Sequence, residues 1–206
     1  MLHVVQNDAA PVPDGIFRSM FAARKSVFVD LLKWDVPVLD NRYEIDQFDD
    51  EHARYVILAD REERHLGSAR LLPTTRPHIL DSLYPVLCDN APPRGDAIFE
   101  VTRFCLDRRL PATERRAVRD ALVAALADHA LDHGIACYTA IAELGWFQQI
   151  LAFGWRCEPL GQPYVVGSRT LAALRIFITP ETPGLLAAAG IRGRQAILAN
   201  ERLIAA

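Results

Sequence analysis

The stretch Ile98-Phe99-Glu100-Val101-Thr102-Arg103-Phe104 reads as a core strand except for its two charges. Successive side chains in a regular strand point to opposite faces, so Glu100 and Arg103, three residues apart, would look away from each other. Two arrangements reconcile them with a core position. One is a regular strand with two separate ion pairs. The other is a β-bulge, in which two residues oppose one and the alternation shifts, a feature over-represented beside active sites. A bulge between Glu100 and Arg103 turns both toward one cleft, and this is the arrangement expected.

The surrounding chain limits what that cleft serves. With 206 residues, 50% hydrophobic and 24% charged, it suits one substantial core in a single domain. A formal net charge of −3 gives no reason to expect nucleic acid as a partner. The start, Met1-Leu2-His3-Val4-Val5, lacks the charged and apolar regions of a signal peptide. No apolar run is long enough to span a membrane, so a cytoplasmic location is expected. Cys88, Cys105, Cys137 and Cys157 form no Cys-x-x-Cys pair and read as reduced core residues.

A strand is expected at His3 to Gln6, followed by a turn-rich segment from Asp8 to Gly15. A helix follows, with Phe17, Met20, Phe21, Val27, Phe28 and Leu31 on its apolar face. From Lys33 to Glu51 periodicity stops. This long acidic segment carries Trp34, Tyr43, Ile45 and Phe48 and reads as a functional lid. Strands at Arg54–Ala59 and Leu66–Leu72 form a hairpin, and a short helix is expected around Asp81–Cys88. After the opening strand, taken as Ala97–Leu106, come a helix (Thr113–His133), a strand (Ile135–Ile141), a helix (Leu144–Phe153) and a strand (Thr170–Ile178). The Ala/Leu-rich tail, Leu185–Ala206, reads as helical.

Charged residues in apolar elements need partners. Arg24 shares the core face of the first helix, where a guanidinium must meet a carboxylate or a ligand. Phe28 lies one turn further on the same side. Arg70 sits in a strand apolar on both faces, where an unpaired charge is hardly tolerated. Asp46 and Asp49, otherwise a solvated acidic run, can supply the counter-charge. Asp46, Asp49, Arg70, Glu100 and Arg103 are therefore expected to form one mutually neutralising cluster at an end of the sheet. His129 and His133 share a helix face but have no evident third ligand, so no metal is expected.

Arg24-x-x-x-Phe28, Trp34, Asp46, Asp49, Gly67-Ser68-Ala69-Arg70-Leu71-Leu72-Pro73-Thr74 and Glu100-Val101-Thr102-Arg103-Phe104 together resemble the motif set of the acyl-homoserine-lactone synthases of bacterial quorum sensing. The resemblance implies a GNAT-like α/β fold: a mixed twisted sheet, flanked by helices and splayed into a V-shaped cleft. It implies transfer of an acyl group from a thioester to the amine of S-adenosylmethionine, then lactone closure with release of methylthioadenosine. S-Adenosylmethionine is a substrate, and no cofactor is expected. Arg24, Phe28 and Trp34 would bind it, the aromatic faces suiting its sulfonium and adenine. Glu100 would act as general base, with Arg70, Arg103, Asp46 and Asp49 completing the catalytic cluster. Thr139 and Glu143 fall where the family lines its acyl pocket, although Glu143 departs from the small or hydroxyl residues usual there.

The stretch after the opening strand, Cys105 to Thr113, lacks the Gly-rich loop by which GNAT enzymes grip coenzyme A. This favours an acyl carrier protein as donor over acyl-coenzyme A, although some family members use the latter. Arg108, Arg109, Arg115, Arg116 and Arg119 would meet the acidic carrier; the other reading is a solvated arginine face. Two rival functions stay open: an N-acyltransferase for another amine, and a non-catalytic module that binds S-adenosylmethionine.

Overall fold

The computed structural model describes residues 2–5 and 14–191. Its centre is a sheet of eight strands in the order β1, β4, β5, β6, β7, β10, β8, with β9 on β10. The strands are β1 (Leu2–Val5), β4 (Arg54–Ala59), β5 (His65–Pro73), β6 (Ile98–Leu106), β7 (Cys137–Glu143), β8 (Arg156–Pro159), β9 (Tyr164–Val166) and β10 (Arg169–Phe177). A separate two-stranded ribbon joins β2 (Val38–Leu39) to β3 (Tyr43–Glu44). Gln6, most of the turn before Gly15 and the tail beyond Ile191 lie outside the described residues.

Only β6 and β7 run parallel among the paired strands described, because the long helix α3 (Ala112–Asp132) joins them as a crossover. Their pairing covers just four rungs, from Ile98↔Cys137 to Val101↔Ala140. Beyond that point β6 continues on β5 as far as Leu106, and β7 continues on β10 as far as Glu143. The two halves of the sheet therefore part after Val101 and Ala140. This is the V-shaped cleft of the expected GNAT-like fold.

Each face has its own core. Leu71, Phe99, Tyr138, Ala140 and Leu174 pack against the apolar side of α3. On this side Gly67 lets β5 approach the helix, since a Cβ there would lie 2.9 Å from Val118 Cγ1. The other face buries Tyr55, Ile57 and Leu72 under Ile16 and Met20 of α1 (Asp14–Arg24). It carries the chemistry.

Several local expectations change. The first helix continues past Arg24 as a π-helical segment, Lys25–Leu31, whose wider turn carries Leu31 off the apolar face to 54% exposure. Arg24 and Phe28 stay buried. The acidic segment is a fastened structure rather than a lid. It contains the β2–β3 ribbon, turned at Asp40 and Asn41, both with φ of 53°. Short polar side chains tolerate that left-handed conformation best. The short helix expected near Asp81 begins earlier, as α2 (Ile79–Ser82), with a 3₁₀ turn at Pro85–Leu87. The strands β8 and β9, absent from the sequence reading, extend the β10 edge. The helix α4 (Leu144–Leu151) lies where expected, whereas α5 (Thr182–Ala188) starts before the expected tail helix and stops at Ala189–Gly190.

Candidate active site

The opening strand does carry a bulge. Ser68 pairs with Cys105 and Arg70 with Thr102, so two positions on β5 span three on β6, and Arg103 absorbs the extra residue with φ of 49°. Leu72 pairs with Glu100 and Arg70 with Thr102, which sets Glu100 and Thr102 on the α1 face. The bulge swings Arg103 onto that face too, where its guanidinium reaches Glu44 and Asp46.

Around Arg103 lies a closed charge network. Arg24 Nε donates to Glu44 at 2.6 Å, and its two terminal nitrogens donate to the two oxygens of Asp49 at 2.7 and 2.8 Å. Arg70 donates through Nη1 and Nη2 to Asp46 and through Nε to Thr102, and its Nη1 also lies 2.8 Å from Asp49. Three arginines thus meet three carboxylates, all at least nine-tenths buried in their side chains. Burial alone would raise the Asp49 carboxyl, but Arg24 and Arg70 hold it well below the ordinary range. Asp46, likewise raised by burial, is held down by Arg70 and Arg103. Burial would weaken the charge on Arg24, yet Asp49 and Glu44 reinforce it.

Glu44 is the member that sequence reading missed. It looks like one acid among many, and only the β2–β3 ribbon delivers it, fully buried, between Arg24 and Arg103. Alternation around the Asp40-Asn41 turn was the available signal.

Glu100 is the correction to the expected cluster, because it is buried on the network's face but is not part of the network. Its Oε2 accepts the Leu80 backbone N–H at 3.2 Å, and its Oε1 has no hydrogen-bond partner. Burial pushes this carboxyl up, the Leu80 and Ile79 amides and the charge of Arg70 pull it partly back, and it settles at about 7. It lies one residue before β6 and β7 part, directly beside Thr139 on β7. The Thr139 hydroxyl is also buried without a partner. Glu143 ends the same strand, half-exposed, near Arg169.

Phe28 and Trp34 stack with centroids 4.7 Å apart, and the Trp34 backbone N–H donates to the Phe28 carbonyl at 2.8 Å. Trp34 is thus anchored rather than the start of a loose loop. The Arg103 guanidinium lies over both rings, at 5.5 and 5.7 Å, which joins the aromatic pair to the network. Arg24 is tied up on three nitrogens and braces this wall from behind. The nitrogens of this expected substrate anchor are spent on Glu44 and Asp49.

The five arginines beyond β6 are held in different ways. Arg109 is bonded to Asp107, and Arg119 is paired with Asp120 and lies over the Phe153 ring. Arg115 reaches the Arg108 carbonyl, while Arg116 joins Arg119 at a separate hollow bordered by Gln149 and Ile191. No group of three or more candidate metal ligands occurs among the described residues, and no described helix is long and apolar enough to cross a membrane.

This geometry has close counterparts. The sequence model of the autoinducer synthase family matches residues 13–182. An acyl-homoserine-lactone synthase of Acinetobacter nosocomialis is 31% identical over 172 residues, covering 80% of this chain and 93% of that protein. A solved CoA-dependent acyl-homoserine lactone synthase, BjaI, is 28% identical with a TM-score of 0.83, covering 94% of this chain and 92% of its own. An N-acetyltransferase from Lactobacillus plantarum, 15% identical with a TM-score of 0.54, shares the fold alone, covering 86% of this chain and 99% of its own. The chain belongs to the acyl-homoserine-lactone (autoinducer) synthase family and is an acyltransferase on a GNAT-like fold.

Proposed function

We propose that this acyltransferase joins the acyl group of a thioester to the α-amine of S-adenosylmethionine and then closes the homoserine lactone, with no cofactor. The observation that carries the reading is the Glu100 carboxyl: buried, with one oxygen unbonded, at the point where the sheet divides. An α-amine is mostly protonated near neutral pH and cannot attack until it loses its proton. A carboxyl that titrates at about 7 is matched to accept it, directly or through one water. The amine nitrogen then attacks the thioester carbonyl carbon, and the resulting oxyanion needs hydrogen-bond donors. Backbone N–H groups of β6 beyond Val101, no longer paired to β7, are suited to that task. Collapse breaks the C–S bond and releases the thiol. The substrate carboxylate then attacks the carbon bearing the sulfonium, forming the lactone C–O bond and expelling methylthioadenosine. This second step needs little beyond positioning, because the leaving group is neutral once displaced.

Phe28 and Trp34 would hold the sulfonium or adenine. The network of Arg24, Glu44, Asp46, Asp49, Arg70 and Arg103 would keep that wall rigid, and Thr139 would face the acyl chain beside Glu100. For the donor, coenzyme A is favoured over a carrier protein. BjaI, a CoA-dependent enzyme that has also been solved with SAM and isopentyl-CoA, superposes closely. Arg109 and Arg119 spend their charges on Asp107 and Asp120, which weakens the case for a carrier-docking face. On this reading, reversing charge at the exposed Arg116 leaves kcat/KM for acyl-coenzyme A within about twofold.

Incubation of the protein with S-adenosylmethionine and a series of acyl thioesters tests the function. The reading requires acyl-homoserine lactone and methylthioadenosine in equal amounts. Acylation of other amines without methylthioadenosine would make it a general N-acyltransferase, and binding without turnover would make it a sensor.

A further inference from the structure

The proposed amine substrate is a zwitterion with an excess of positive charge: sulfonium, ammonium and one carboxylate. Aromatic rings and a general base accommodate the first two. The carboxylate must leave water for a cation, yet Arg24, Arg70 and Arg103 are already balanced by Glu44, Asp46 and Asp49. A substrate carboxylate inserted there would displace a buried acid, which is strongly unfavourable.

Arg169, the first residue of β10, is different. Its guanidinium lies over the Trp34 ring, 5.3 Å from the centroid, and its side chain is one-third exposed. The polar contacts it makes are long: Nη2 to the Leu32 carbonyl at 3.4 Å, and Nε to a half-exposed Glu143 carboxylate at 3.5 Å. Beneath it, the Trp34 Nε1–H is buried and has no acceptor. A loosely held cation and an unsatisfied donor therefore meet at the ring proposed to receive the sulfonium.

We infer that Arg169 binds the α-carboxylate of the amine substrate, exchanging its long contact with Glu143 for a charge-assisted pair. This rests on S-adenosylmethionine being that substrate. The exchange also answers an electrostatic difficulty. A sulfonium brought to Trp34 beside Arg169 would meet a like charge, and a carboxylate lodged at the guanidinium offsets both. Because the guanidinium is partly solvated, its hold is weak enough to release the carboxylate for ring closure. Glu143, which fits poorly in an acyl pocket, acquires a role as the resting partner of Arg169.

The test compares two ligands by calorimetry: S-adenosylmethionine and its decarboxylated analogue, which keeps the sulfonium, adenine and amine. In Arg169→Gln, affinity for S-adenosylmethionine should fall about tenfold or more, the loss expected for a hydrogen bond to a charged group. Affinity for the decarboxylated analogue should not fall and should rise if anything, because the like charge facing its sulfonium is gone. Arg169→Lys, which keeps the charge without the fork, should recover most of the difference, and melting curves should show both variants folded. Equal weakening of both ligands, or of neither, overturns the assignment. If the unaltered protein binds neither ligand, the amine reading itself fails and the assignment falls with it.

Discussion

Two neighbouring regions of the same sheet face treat buried charge in opposite ways. Around Arg24, Arg70 and Arg103 every charge has a partner at hydrogen-bond distance, and Asp46 and Asp49 are pulled below their ordinary range. Around Glu100, one carboxyl oxygen and the Thr139 hydroxyl go without partners, and the acid is pushed up to about 7. Saturated charge builds a wall and holds it still, whereas reactive capacity resides in the group left unsatisfied. The bulge at Arg103 makes both possible, sending the arginine into the network while Glu100 stays at the fork.

The contrast breaks first at Asp49. Asp49→Asn leaves Arg24 and Arg70 short of a counter-charge, and urea denaturation should show a loss of about 3–5 kcal/mol. Because the folded-state value is depressed, this contribution is present above the ordinary carboxylate range and disappears as pH falls toward the folded value. A loss under about 1 kcal/mol would mean that the network is not a brace.

Glu100 should show the opposite sign. Its folded value lies above the ordinary 4.5, so its contribution is full below that pH and is lost as pH rises through about 7. Glu100→Gln, which cannot ionise, should therefore match or exceed the unaltered protein at pH 8, by about 1–3 kcal/mol, with the gap closing at pH 5. A variant less stable at pH 8 would contradict the unsatisfied state of the carboxyl.

The smallest effect concerns the aromatic pair. Trp34→Phe should weaken S-adenosylmethionine by about 0.5–2 kcal/mol and leave the KM for the thioester unchanged. Equal effects on both substrates would reduce Trp34 to packing.

Much of this was legible in the sequence for physical reasons. Arg70 in an otherwise apolar strand demanded partners, and the odd spacing of Glu100 and Arg103 demanded a bulge. The separation of Glu100 from the network was not legible. Alternation tells which face a side chain occupies, but not how far along that face a long guanidinium reaches. Arg103 extends to the ribbon carrying Glu44, while Glu100 lies three residues back along β6, at about 3.3 Å per residue. Leu31 misled because a π turn breaks the 3.6-residue periodicity on which its assignment relied. Glu44 hid in an acidic run because its burial depends on a short ribbon folding onto a helix far from it in sequence.

The central claim is that Glu100 takes the proton from the amine, and the pH dependence of kcat for the unaltered protein and for Glu100→Gln tests it most directly. With both substrates saturating, kcat should rise as pH increases through about 7, as the carboxylate forms. Glu100→Gln should lose about 10²–10⁴-fold and lack that limb, while binding S-adenosylmethionine normally. A Glu100→Gln enzyme that turns over within about threefold of the unaltered protein, with the same rising limb, would show that the base lies elsewhere.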